Sequence, residues 1–113
     1  MTERLPAALE AQALIRQVNG AGGFAMVLHK GEADGGALLV VILEGGRAAR
    51  AWERMPKADG TRGWHCARRQ APDDSGAFAQ YLERRAQQDP DLWILELDIA
   101  QGERFIGLPS SAN

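Results

Sequence analysis

The apolar residues of this chain change their spacing from one stretch to the next, and each change marks an element. Ala11, Leu14, Ile15 and Val18 recur at intervals of three and four, with Glu10, Gln12, Arg16 and Gln17 between them. That period predicts a helix over Leu5–Asn19, with Pro6 suited to its first position and Gly20 or Gly22 to its end. From Phe24 the period becomes two. Phe24, Met26 and Leu28 alternate with Ala25, Val27 and His29, which predicts a strand with unequal faces, leaving through a Gly31–Gly36 loop. Ala37–Glu44 is apolar at nearly every position, so a central strand covered on both faces is expected there.

Gly45-Gly46 then allows only a two-residue hairpin into a strand over Arg47–Met55, because such turns need positive φ at both positions. A second turn over Pro56–Gly63, with Asp59-Gly60 at its tip, leads to a strand over Gly63–Arg69. Pro72, Asp73, Asp74 and Ser75 open a second helix, whose buried side is Phe78, Tyr81, Leu82 and Ala86. It stops near Gln88, ahead of Pro90. Asp91–Ala100 is the last strand, with Trp93, Leu95, Leu97 and Ile99 on one face and Leu92, Ile94, Glu96 and Asp98 on the other.

The order α-β-β-β-β-α-β predicts an α+β fold: a five-stranded, mostly antiparallel sheet of order 5-1-2-3-4 with two helices packed on one face. A single domain over 1–106 and a flexible tail over 107–113 complete the expectation. At 113 residues the chain is long enough to bury a core without a metal or disulfide staple. The lone Cys66 forms no internal disulfide, and the first residues lack the apolar core of a secretion signal, so a cytoplasmic protein is expected. The seven apolar residues Ala37–Leu43 are far too few to cross a bilayer as a helix, so no membrane partner is expected.

Net charge is -2, but residues 47–69 carry +5 and the remainder -7. The basic stretch places Arg50, Trp52 and Arg54 on one face of the third strand, and Trp64, Cys66 and Arg68 on one face of the fourth. Guanidinium and indole in alternation suit a protein interface, and also single-stranded nucleic acid, where they meet phosphate and base. Alternatively the tryptophans cover the sheet while the arginine heads pair with Glu96, Asp98 or helix carboxylates.

Other candidates for chemistry are few. Gly20-Ala21-Gly22-Gly23-Phe24-Ala25 has the letters of a dinucleotide fingerprint in reversed context, with the helix before it and the strand after, so helix capping and a turn are expected instead. Lys30, Glu32 and Asp34 share a glycine-rich loop that lacks a third carboxylate for a hard cation. His65 and Cys66 are adjacent in a strand and point apart, which excludes a shared zinc. A thiol enzyme would need a histidine brought to Cys66, and an acid and base pair would need Asp89 and Asp91, which more commonly shape a turn. No catalytic residue, metal or cofactor is expected.

Taken together, Ala21-Gly22-Gly23-Phe24-Ala25, Lys30-Gly31, Gly36-Ala37 and Asp89-Pro90-Asp91-Leu92-Trp93 resemble a bacterial family known as domain of unknown function 1491, over roughly Leu9–Asp98. The resemblance implies a small stand-alone domain and carries over no catalytic residue. It leaves Lys30, Asp34, Asp89, Asp91 and Trp93 as motif positions of unknown role. The expected function is a small interaction domain meeting a protein partner or itself through Arg50, Trp52, Arg54, Trp64 and Arg68, with nucleic-acid binding and a small enzyme as alternatives.

Overall fold

The structure, a computed structural model, describes residues 5–108. Its elements are α1 (Ala7–Gly20), β1 (Phe24–His29), β2 (Leu38–Glu44), β3 (Arg47–Pro56), β4 (Arg62–Arg69), α2 (Ala77–Gln88), β5 (Trp93–Asp98) and a short 3₁₀ helix, η1 (Gly102–Ile106). The α+β class, the five strands and the chain order of helices and strands are as the sequence predicts. Three of the four strand pairings are antiparallel.

The sheet order is β1-β5-β2-β3-β4 rather than 5-1-2-3-4. β5 pairs antiparallel with β1, as expected, but it also lies parallel to β2, so it enters the sheet and pushes β1 to the edge. Burial explains the exchange. Leu92, Trp93, Ile94, Leu95 and Leu97 are all buried, whereas no residue of β1 is fully buried. A strand apolar on both faces gains roughly 1.5–3 kcal/mol for each large side chain that the centre covers, and β1 has less to gain there.

The helices lie on opposite faces, which corrects the one-sided arrangement. Ala7, Ala11, Leu14 and Val18 of α1 pack on Leu38, Val40, Ile42, Leu95 and Leu97. On the other face, Phe78, Tyr81, Leu82 and Ala86 of α2 pack on Leu39, Val41, Ala51, Leu92 and Ile94. Every residue of β2 from Leu38 to Leu43 is buried, and a strand of that kind requires cover on both sides.

The far ends of β2 and β5 are tied down locally. At the hairpin tip, Gly45 and Gly46 take φ of 59° and 77°, and their amides donate to Asp98 Oδ1 and Oδ2 at 2.8 and 3.0 Å, fixing the tip to the end of β5. After β5 the chain turns into η1, which the sequence did not announce, and Leu108 packs against the α1-side core. Of the tail expected over 107–113, residues 109–113 lie outside the described residues.

Candidate functional site

Arg50, Trp52 and Arg54 share the face of β3 that the alternation assigns, but that face is the one beneath α1 and η1. Trp52 is buried, and the Arg50 side chain is only 12% exposed. Glu103 of η1 explains both. Its carboxylate accepts from Arg50 Nε and, at 2.7 Å, from Nη2, while Trp52 Nε1 donates to it at 3.2 Å. The hydrogen-bonded guanidinium holds the Glu103 carboxyl below its ordinary range against the opposing effect of burial, and Glu103 raises Arg50 in return. Arg54 pairs with Glu10 of α1, and its guanidinium lies 4.7 Å from the Trp64 ring centre. Helix carboxylates thus take the arginine heads, in keeping with the internal-pairing alternative.

Arg68 is not on the Trp64 face. The β3–β4 register runs Ala51 to Arg68 and then Trp52 to Cys66, so Ala67 is an extra residue that reverses the alternation. Arg68 instead lies 5.3 Å from the ring centre of Tyr81 on α2. The expected five-residue surface is therefore divided between two faces, with Arg50 and Trp52 turned inward. Cys66 packs against the α1-side core, and its nearest polar contact is the Arg68 carbonyl at 3.8 Å.

The motif positions form one structural unit. Glu32 N–H donates to the Asp91 carbonyl at 3.0 Å, Trp93 Nε1 donates to the Glu32 carbonyl at 2.8 Å, and Asp89 Oδ1 accepts from Asp91 N–H at 3.2 Å. The loop crosses the β5 entry so closely that a Cβ on Gly31 would lie 2.1 Å from the Asp91 oxygen, and one on Gly36 2.4 Å from it. The carbonyls of Ala33 and Asp34 accept from Ala8 and Ala7 N–H at 2.9 and 3.2 Å, satisfying the first turn of α1 where Pro6 offers no side-chain cap. Asp34, Asp89, Asp91 and Trp93 are thus placed by main-chain fit and turn bonding, while Lys30 is exposed. Among the described residues no cluster of potential metal ligands occurs. The amides of Ala21, Gly22 and Gly23 turn back onto carbonyls of Gln17, Val18 and Asn19 at 3.0–3.2 Å, so those glycines end α1 rather than converge on an anion.

The surface with the strongest physical signal is the strand that the order exchange left outside. Phe24 is 78% exposed, Met26 53%, Leu28 42% and Val27 39%, four of the seven large apolar residues exposed among those described. From Gln17 to His29 the chain has no Asp, Glu, Lys or Arg. Phe24 and Met26 pair with Asp98 and Glu96 and so lie on the α2 face, while a bulge after Val27 brings Leu28 and His29 side by side. There a groove of about 520 Å³ opens between β1 and α2, lined by the apolar Leu28, Leu82, Ala86 and Ile94 and by the polar His29, Glu83 and Gln87. On the outer rim Ala25 N–H donates to Asn19 Oδ1 at 3.0 Å, so it points away from β5, and strand alternation turns Val27 N–H the same way. The opposite edge differs: β4 carries Arg62, Arg68, Arg69 and the Ala67 bulge, which discourage edge pairing. Sequence reasoning missed Phe24, Met26 and Leu28; the uncharged run around them was the available signal.

The family described as protein of unknown function (DUF1491) matches residues 5–107. Among solved structures, the chain is similar to the crystal structure of a DUF1491 family protein from Caulobacter crescentus CB15, at 32% identity and a TM-score of 0.80, over 94% of this chain and 98% of that one. The NMR structure of a DUF1491 family protein from the same organism is similar at 32% identity and a TM-score of 0.79, over 96% and 97% of the two chains. A protein from A. tumefaciens, solved in solution, gives 28% identity and a TM-score of 0.68 over 86% and 87%. No curated protein matches the chain.

Proposed function

The chain belongs to the DUF1491 family, whose function is unknown, and from that premise we propose that it is a cytosolic protein-interaction domain that binds through the outer edge of β1 and the groove beside it. One observation carries the reading: an edge strand, its outer side without a partner strand among the described residues, exposes Phe24, Met26 and Leu28 along an uncharged run, while the other edge of the same sheet is guarded by arginines. An open edge supplies main-chain donors and acceptors to a partner strand, and apolar side chains on the adjoining face add burial. The single thiol suits a reducing compartment, and no helix among the described residues is long and apolar enough to cross a membrane. The basic stretch supports nucleic-acid binding less well, since Glu103 and Glu10 engage Arg50 and Arg54.

Recovery of the tagged chain from its host tests this directly. Protein companions that survive nuclease and are lost from a Phe24→Lys, Met26→Lys double variant are the expected result. Both side chains are mostly exposed, so the variant keeps the wild-type melting temperature. Companions that depart with nuclease, or that ignore the double substitution, contradict the proposal.

A further inference from the structure

Resting on the reading of β1 as a binding edge, we infer that its partner is a second copy of this chain, added strand to strand in antiparallel register about Met26. Three observations converge on that occupant.

The first is charge. The β1 edge and its approach from Gln17 to His29 carry no Asp, Glu, Lys or Arg, so the two strands meet without opposing like charges; the nearest carboxylates, Glu96 and Asp98 on β5 and Glu83 in the groove, lie behind the edge. Pairing β4 with itself would instead bring Arg62, Arg68 and Arg69 together.

The second is fit under a two-fold axis. Centring the pair on Met26 sets Ala25 opposite Val27 of the other copy. Ala25 N–H already points outward and has only the Asn19 side chain to release. The same register sets Phe24 opposite Leu28 of the other copy, at the mouth of the groove lined by Leu28, Leu82 and Ala86. Each copy thus supplies the aromatic side chain that the other's groove lacks. The contact is isologous and closes as a dimer, joining two five-stranded sheets into one of ten.

The third is area. With whole side chains of roughly 150–200 Å² each, the exposed fractions of Phe24, Met26, Val27 and Leu28 amount to an area on the order of 400 Å² per copy before the groove is counted. Standard stable interfaces bury about 800 Å² per partner, so this contact belongs to the small, weak and reversible class.

Sedimentation equilibrium from low micromolar to several hundred micromolar protein tests the inference. The expected result is a mass rising from 12.3 kDa toward twice that value, with Phe24→Lys and Met26→Lys each remaining monomeric at an unchanged melting temperature. A wild-type chain that stays monomeric throughout overturns it, as does a dimer that both substitutions leave intact. If the chain is monomeric but its host companions still depend on Phe24, the second copy is the wrong occupant while the binding edge stands; if those companions ignore Phe24 as well, both fall.

Discussion

Replacing Glu103 by alanine is expected to lower the unfolding free energy by about 3 kcal/mol, the low end of the cost of breaking a buried ion pair, because Glu44 Oε1 still stands 3.9 Å from Arg50 Nη2. Arg50 loses both oxygens of a carboxylate that is only 5% exposed, and Trp52 loses the acceptor of its indole N–H. Phe105 and Ile106 of η1 still pack against the α1-side core, so the loss is confined to the polar contacts with Arg50 and Trp52. Urea denaturation of the variant beside wild type measures the cost. An Arg50→Met, Glu103→Leu double variant should recover much of it, since an apolar pair of similar size removes the stranded charge.

The dependence on pH has a defined sign. The folded Glu103 carboxyl lies below its unfolded value, chiefly through the Arg50 hydrogen bond. Its contribution is therefore complete above the ordinary carboxylate range and is lost as pH falls through the lowered folded value. Wild type minus Glu103→Ala should shrink on acidification. A difference below about 1 kcal/mol at neutral pH, or one that grows toward acid, contradicts this account of the network.

Gly31→Ala is the second large effect. A Cβ at that position meets the Asp91 oxygen at 2.1 Å and the carbonyl carbons of Asp91 and Leu92 at 2.7 Å, all backbone atoms that cannot swing aside. Overpacking of this kind costs about 1–3 kcal/mol or more. The crossing it separates also holds the Trp93 indole on Glu32, so an altered Trp93 environment should accompany the fall in melting temperature. Gly35→Ala is the control from the same loop: its nearest neighbour is the Glu32 Oε1 at 3.6 Å, an ordinary contact, and its effect should be small. Thermal melts of the two variants in parallel decide between close approach and mere loop flexibility as the reason for glycine at 31.

Features set by neighbouring residues were legible in the chain. The periods of α1 and α2, the buried run of β2 and the Gly45-Gly46 hairpin all rest on spacings of a few residues, and all are found. What depends on distant partners was not. The expected order 5-1-2-3-4 keeps β1 inside the sheet, although Leu92, Trp93, Ile94 and Leu95 mark β5 as apolar on both faces. The same choice hid the meaning of Phe24, Met26 and Leu28, which become an exposed stripe only once β5 displaces β1. The alternation placed Arg50, Trp52 and Arg54 together correctly, but their acceptors lie on other elements: Glu103 in a 3₁₀ turn with no sequence signature, and Glu10 on α1. Arg68 left the Trp64 face through a one-residue bulge that Ala67 does not advertise.

The central claim is that the outer edge of β1 is where this protein meets a second copy of itself. Amide hydrogen exchange, followed residue by residue in dilute and in concentrated solution, tests it most directly, because Val27 N–H faces outward and gains a partner only when a strand is added. Exchange at Val27 should slow with concentration while the outward amides of β4 remain as they were. Concentration-dependent protection confined to β4, or a Val27 amide that exchanges equally fast at both concentrations, would contradict it.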